Sequence, residues 1–392
     1  MPGADATPMA QALALAARAL TLSNPNPRVG CLLTAADGRV LGQGFTQQAG
    51  GPHAEVMALR DAAARGQDTR GATAWVTLEP CAHQGRTGPC CDALIAAGVA
   101  RVVASLADPN PLTAGQGFAR LRAAGVRVDV GPGAEAAREL NLGFFSRMLR
   151  GLPWVRLKVA ASLDGVTALA NGQSQWITSP AAREDGQHWR ARACAILSGV
   201  GTVLADDPRL DVRAFETPRQ PHLALLDSRL RTPPNATIFR ADRACWIYAA
   251  APNDAGFDAR RKALEARGAT VLCLPAGQNG RVDPAAVLRD LAARGVNELH
   301  VEAGATVNGA LLAADLVDEL LLYLAPTLLA GGARGIADWG PLATLDQGLR
   351  LEWLGSQAMG PDLRLRARVQ GRDRFPAPPT DPPSTMLIDT AK

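Results

Sequence analysis

Three short stretches hold side chains that can bind a metal and move a proton. His53-Ala54-Glu55 falls at the predicted start of a helix. Pro80-Cys81 follows a predicted strand, and Pro89-Cys90 opens a further predicted helix. One imidazole and two thiolates make a three-ligand set for Zn2+, with a fourth position left for water. Zinc lowers the pKa of a bound water to ~7, which makes hydroxide available at neutral pH. Glu55 stands two residues from the histidine, close enough to reach that water without ligating the metal. A carboxylate there can take a proton from water and pass it to a leaving amine. The general signature of zinc deaminases is H-x-E followed by P-C-x-x-C. Here eight residues separate the two cysteines. Cys91 adjoins Cys90, and spacing alone does not choose between them; Cys90 is preferred because it follows Pro89 at the helix start. His83 is a rival ligand between the cysteines.

The second half carries different chemistry. Leu197-Ser198-Gly199-Val200-Gly201-Thr202 and Val301-Glu302-Ala303-Gly304 are glycine-bearing strand-to-helix junctions. Glycine lets backbone N–H groups approach a phosphate, and a helix N-terminus favours its charge. Neither junction is a G-x-G-x-x-G fingerprint, so a Rossmann dinucleotide site is not supported. The chain has only three lysines, and Lys158 lies inside a predicted buried strand. A lysine there calls for an anionic ligand or an open strand edge. Trp176 sits in a loop before a helix, either as core or against a ligand.

The elements that position these groups follow from hydrophobic periodicity. A first helix spans Met9–Thr21, with strands at Val29–Thr34 and Val40–Phe45 around the Asp37-Gly38 turn. A helix at Ala54–Arg65, a strand at Ala72–Leu78 and a helix at Pro89–Ala97 carry the metal set. Strand, helix and strand follow at Arg101–Ala104, Gly117–Ala124 and Val126–Val130, and one helix begins near Ala134. This order is that of a three-layer α/β domain. Gly151 and Pro153 mark a boundary. Beyond it, strands are expected at Trp154–Ala160, Ala195–Ser198, His222–Asp227, Cys245–Ala250, Thr270–Leu274, Glu298–Glu302, Glu319–Leu324 and Leu363–Val369. Helices are expected at Pro180–Arg192, Ala255–Arg267, Pro284–Arg294 and Val307–Ala314. The reading is therefore a domain over 1–150, a second over 151–370, and a proline-rich tail over 371–392 without order of its own.

Composition narrows the function class. The 392 residues are 47% hydrophobic and 20% charged, which excludes a disordered chain, a collagen and a coiled coil. Forty-one basic against 37 acidic residues give a net charge of +4. No block of like charge appears, whereas a nucleic-acid base deaminase needs a cationic surface. A small-molecule substrate is expected, with no nucleic-acid partner. No apolar stretch reaches the ~18–20 residues of a membrane span. Seven scattered cysteines do not form a disulfide framework, so a reducing cytoplasm is expected. A purely structural zinc would need a fourth protein ligand, which only His83 or Cys91 could supply.

The motifs together resemble one family. Pro25-Asn26-Pro27-x-Val29-Gly30, Pro52-His53-Ala54-Glu55, Leu78-Glu79-Pro80-Cys81 and Gly85-Arg86-Thr87-Gly88-Pro89-Cys90 resemble the deaminase half of the bifunctional riboflavin-biosynthesis deaminase/reductases. The long gap between the cysteines is typical of that branch. Lys158-x-Ala-x-Ser-Leu-Asp-Gly, Ser174-x-Trp-Ile-Thr-Ser, Thr202-Val-Leu-Ala-Asp-Asp-Pro and Val301-Glu-Ala-Gly-x-Thr resemble its reductase half. The resemblance spans about Met9 to Val369. It implies a cytidine-deaminase-like three-layer α/β domain followed by a dihydrofolate-reductase-like domain that uses NADPH. It implies a phosphorylated pyrimidine substrate and a homo-oligomer. By the same resemblance Asn26 lies against the pyrimidine. Trp176, Thr202, Asp206, Ser228 and Gly304, Ala305, Thr306, Val307, Asn308, Gly309 and Ala310 contact NADPH. Ser174, Arg190, Leu210, Arg213 and Glu302 contact the substrate. Lys158 joins them, and Asp164 is either a site residue or a turn residue.

Overall fold

The two-residue period of the strand Gly30–Thr34, buried along its whole length, sends Cys31 and Leu33 to one side of a sheet and Leu32 to the other. Helices cover both sides. The computed structural model describes residues 7–83, 88–250, 255–277, 280–330 and 334–375. They fall into two compact units, one up to Arg150 together with Phe375, the other over Gly151–Arg374. Gly85-Arg86-Thr87 of the deaminase-type motif and residues 376–392 of the expected tail lie outside the described residues.

The first unit runs α1 (Pro8–Ala17), β1 (Gly30–Thr34), β2 (Val40–Phe45), α2 (Ala54–Ala64), β3 (Thr73–Val76), α3 (Cys90–Ala96), β4 (Arg101–Ala104), α4 (Gln116–Ala123), β5 (Arg127–Val130), α5 (Ala134–Leu140) and α6 (Leu142–Arg150). The strand order is β2-β1-β3-β4-β5. β1 is antiparallel to both neighbours, and β3, β4 and β5 are parallel. Ala54, Ala58 and Ala62 of α2, Leu94 of α3 and Phe118 of α4 pack on one face. Met9, Ala12 and Leu15 of α1 pack on the other. This is the three-layer arrangement expected. α2 lies unusually close to β2, because a Cβ at Gly44 would stand 2.5 Å from the Ala54 carbonyl oxygen. That contact fixes the start of α2, where His53 and Glu55 sit.

The single helix expected from Ala134 is two helices. Asn141 interrupts it, and its side chain accepts the Arg28 N–H at 2.7 Å and donates to the Arg28 carbonyl at 2.9 Å. Tertiary hydrogen bonds override the local helical preference there.

The second unit runs β6 (Trp154–Ser162), α7 (Pro180–Arg192), β7 (Ala195–Gly199), α8 (Val200–Asp206), β8 (His222–Leu226), β9 (Cys245–Ala250), α9 (Phe257–Glu265), β10 (Ala269–Leu274), α10 (Pro284–Ala293), β11 (Glu298–Val301), α11 (Ala305–Ala313), β12 (Glu319–Ala325), β13 (Leu351–Met359) and β14 (Asp362–Val369). Nine strands form one sheet in the order β10-β9-β8-β7-β11-β6-β12-β14-β13. From β10 to β12 all pairs are parallel; β14 and β13 join antiparallel. Parallel strands buried on both faces need helices on both. α10 and α11 cover one face over Leu157, Leu197, Leu299 and Val301. α8 and α9 cover the other over Ile196, Leu225 and Ile247.

Under α7 that second face is ionic. Arg156 is 1% exposed and donates to Glu298 and Glu319 at 3.2 Å each. Arg192 and Arg366 complete the neutralisation of the two carboxylates. The Trp189 ring of α7 stacks on the Arg156 guanidinium, 4.7 Å from its centroid. The sequence reading did not find β13 or α8. β13 is exposed along most of its length and shows no alternation. α8 begins at Val200-Gly201, and glycine depresses helix propensity.

Candidate functional site

In the first unit the expected metal set converges. His53 Nδ1 lies 3.6 Å from the Cys81 sulfur and 3.4 Å from the Cys90 sulfur. The three ligand atoms all lie within 4.8 Å of one another, the only such group among the described residues. A tetrahedral zinc with Zn–N near ~2.05 Å and Zn–S near ~2.3 Å sets N and S ~3.6 Å apart. The donor set therefore fits zinc in both chemistry and spacing. His83 and Cys91 stand outside the group; the Cys91 thiol is directed to Asp92, 3.8 Å away.

The electrostatics favour the thiolate at Cys81. The Cys90 thiol hydrogen-bonds to the Cys81 sulfur, and burial works against charge on both. Cys81 is held down to about 4, while Cys90 is pushed up. The Cys90 backbone N–H also points to the Cys81 sulfur at 3.4 Å. Glu55 is 3% exposed. Burial, then the Cys81 charge, pushes its carboxyl up to about 7. It reaches Cys90 without belonging to the three-ligand group. Asn26 is held in a turn in which its N–H reaches the Ser23 carbonyl at 2.8 Å, just ahead of β1.

Two further residues of this site were missed by the sequence reading. Glu79, two positions before Cys81, accepts the backbone N–H groups of Asp108, Gly115, Gly117 and Phe118 at 2.9–3.2 Å. Asp108 feels the charges of Cys81 and His83, although burial dominates and pushes its carboxyl up. Asp108-Pro109-Asn110-Pro111 is a recognisable turn signal that could have marked this loop.

In the second unit a cavity of about 1920 Å3 opens at the C-terminal ends of the parallel strands. The chain winds outward from β7 to β10 and returns to β11 between β7 and β6. Such a reversal leaves a crevice where ligands of open α/β sheets bind. The two glycine junctions meet there. Glu302 N–H donates to the Leu197 carbonyl at 2.9 Å, and the Ser198 hydroxyl to the Glu302 carbonyl at 2.7 Å.

The cavity brings together Trp176, Thr202, Asp206, Ser228, Gly304 to Asn308 and Ala310. It also brings together Lys158, Ser174, Arg190, Leu210, Arg213 and Glu302. Trp176 is 66% exposed, so it is not core; the Arg183 guanidinium lies 4.5 Å from its ring centroid. No side chain caps α11 at Gly304, which leaves its first N–H groups for a ligand. Gly309 does not line the cavity; a Cβ there would lie 1.9 Å from the Asp338 carbonyl oxygen. Asp164 also lies elsewhere. Its carboxylate accepts the Ser162 hydroxyl and the N–H groups of Leu329 and Ala330, so it acts as a loop anchor.

Charge around Glu302 and Asp211 is paired. Arg190 grips Glu302 through two hydrogen bonds of 2.5 and 2.8 Å. Burial opposes the Glu302 charge, but Arg190, His300 and Lys158 together hold its carboxyl well below the usual range. Lys158 lies 3.9 Å from Glu302, and burial lowers its pKa. Arg213 donates to Asp211 at 3.0 Å. Arg183 and Gln187, missed from sequence, share the cavity face of α7 with Arg190. Their spacing of four, three and seven residues is the signal that marks one side of a helix.

Known proteins carry the same arrangement. Residues 3–106 match the cytidine and deoxycytidylate deaminase zinc-binding region, and residues 153–365 match the RibD C-terminal domain. Riboflavin biosynthesis protein RibD of Escherichia coli (strain K12) is 46% identical over 360 residues, 91% of this chain and 97% of that one. That of Haemophilus influenzae is 41% identical over 94% of this chain and 98% of its own length. The structure of Acinetobacter baumannii RibD superposes with a TM-score of 0.81 at 40% identity, covering 92% of this chain and 97% of the other. A Thermotoga maritima diaminohydroxyphosphoribosylaminopyrimidine deaminase/5-amino-6-(5-phosphoribosylamino)uracil reductase superposes with 0.80 at 30% identity, covering 92% and 97%. The fold is thus a cytidine-deaminase-type half followed by a dihydrofolate-reductase-like RibD half. A zinc-type ligand set in one half, a large strand-end cavity in the other and near full-length similarity lead to one conclusion: the chain belongs to the RibD family of bifunctional riboflavin-biosynthesis deaminase/reductases.

Proposed function

We propose a division of labour among the residues of the two units. The family's activities are hydrolytic deamination of the diaminopyrimidine ribosylamine phosphate and reduction of its ribosyl group to ribityl, with Zn2+ and NADPH. In our reading His53, Cys81 and Cys90 hold the zinc. The observation that carries it is the 3.4 and 3.6 Å spacing of the imidazole nitrogen from the two sulfurs. When bound, zinc supplies an activated water. Glu55 holds the proton released by that water and delivers it to the departing amine nitrogen. Its buried, raised carboxyl is matched to a proton that must come and go near neutrality. Asn26 orients the pyrimidine.

In the second unit NADPH supplies hydride. The uncapped start of α11, with Thr202, Asp206, Ser228 and Trp176, holds it. Gly309 supports that helix from outside the cavity. Arg190 and Arg213 take the sugar phosphate with the N–H groups their carboxylates leave free. Ser174, Leu210, Lys158 and Glu302 set the substrate's position. Fixing donor and acceptor is the main work left to the protein. The seven free cysteines support a reducing, cytoplasmic setting. Among the described residues no helix is long and apolar enough to cross a membrane. Exposed Leu351, Trp353 and Leu363 on the β13–β14 hairpin support self-association into a homo-oligomer. The direct test is to mix protein, zinc, NADPH and the pyrimidine substrate and follow ammonia and NADPH together. Both must change, ammonia first; NADPH oxidation without ammonia release would overturn the order.

A further inference from the structure

A dinucleotide site that prefers the phosphorylated cofactor must recognise the phosphate on the adenosine ribose. The cavity offers such a place at the end of β8. Asp227-Ser228-Arg229-Leu230 forms a turn closed by the Leu230 N–H to the Asp227 carbonyl at 3.1 Å. Leu230 is 1% exposed and pins the turn into the core. Arg229 and Arg231, on either side of it, are exposed on the cavity rim. A second loop brings a third arginine. The Ser228 hydroxyl accepts the Val282 N–H at 3.0 Å, which stitches Arg281 to the same rim. None of the three guanidiniums has a carboxylate partner among the described residues. This sets them apart from Arg190 and Arg213, whose charges are already matched.

The nearby carboxylates do not compete with a phosphate for these arginines. Asp227 is 1% exposed, and its Oδ2 takes both the N–H and the hydroxyl of Thr232 at 2.7 Å. Asp283 caps α10 by accepting the Ala285 and Ala286 N–H groups. A site built for a free ribose diol would instead present an open carboxylate at this strand end. The location also fits. β8 lies two strands from β11, about 10 Å, so an adenosine extending from a diphosphate at the start of α11 reaches it.

We propose that Arg229, Arg231 and Arg281 form the 2'-phosphate clamp that makes this reductase select NADPH over NADH. The proposal rests on the cofactor reading given above. Arginine suits the task because its planar fork meets phosphate oxygens in pairs.

The test is binding of two small probes to the full chain by calorimetry: adenosine 2',5'-bisphosphate and adenosine 5'-monophosphate, which differ only in the 2'-phosphate. The wild type is expected to bind the bisphosphate at least ~10-fold more tightly, with the ratio shrinking as salt rises. In the triple variant Arg229→Ala/Arg231→Ala/Arg281→Ala the ratio should fall to about one while the monophosphate affinity stays within ~2-fold. The three side chains are exposed, so the melting temperature should not move; single variants serve if it does. A wild-type ratio near one, or a ratio the variants leave unchanged while NADPH still binds, overturns the clamp and leaves the cofactor site standing. Failure of the wild type to bind NADPH at all overturns both.

Discussion

The Glu79 carboxylate accepts the Gly117 N–H at 2.9 Å, and a Cβ on Gly117 would stand 2.0 Å from the Pro80 carbonyl oxygen. The start of α4 is therefore pressed onto the backbone immediately before a proposed zinc ligand. A methyl group cannot enter without moving Pro80-Cys81. Gly117→Ala should cost ~1–3 kcal/mol of stability and weaken zinc retention. Thermal unfolding and metal content after dialysis check it. Wild-type values for both would show that the contact relaxes freely.

Chelation should separate the two activities. All three proposed zinc ligands lie in the first unit. Removing the metal should stop ammonia release, while NADPH oxidation continues when the deaminated intermediate is supplied. Cys81→Ala and Cys90→Ala should mimic chelation and lose the one zinc per chain. Loss of both activities on mild chelation would contradict this separation.

Glu55→Gln preserves shape and removes the proton carrier. Zinc content should stay at one per chain, and deaminase turnover should drop by ~10^2–10^4. The reductase rate on added intermediate should not change. Normal ammonia release from this variant would exclude Glu55 as the proton carrier.

Acid should weaken the second unit through Glu319. Burial opposes its charge, yet Arg156 and Arg366 bring its pKa from 4.5 to about 2. A folded-state pKa below the unfolded one means the unfolded chain binds the proton first. The stabilisation is complete above about pH 4.5 and fades as pH falls toward 2, a loss on the order of 3 kcal/mol. Glu319→Gln should flatten the acid limb of the stability curve in that window. It should also lower stability at pH 7, because Arg156 loses a buried partner. Urea titrations across pH 2–7 measure both; an unchanged acid limb would assign the effect elsewhere.

The metal set was readable in the sequence because each ligand carries its own local signal: a histidine at a helix start and two Pro-Cys pairs. The strand-end cavity was readable at its glycine junctions for the same reason. What stayed hidden depends on distance along the chain. Glu79 is an ordinary acid until residues 108–118 fold back onto it. Arg229 and Arg281 share a rim only because Val282 bonds to Ser228. β13 escaped because a strand exposed on both faces leaves no periodic trace. The break at Asn141 escaped because Arg28, which causes it, is 113 residues away.

The ionic layer beneath α7 also bears on how the sheet assembles. Along β6, Arg156 and Lys158 alternate with Val155, Leu157 and Val159, and β11 alternates in step with Glu298 and His300, with Glu302 just past its end. A slip of one residue between these strands would turn two cations into the apolar layer under α10 and α11 and strand two carboxylates without partners. The buried charges thus act as a proofreading mark: central strands that pair out of step cannot close over them.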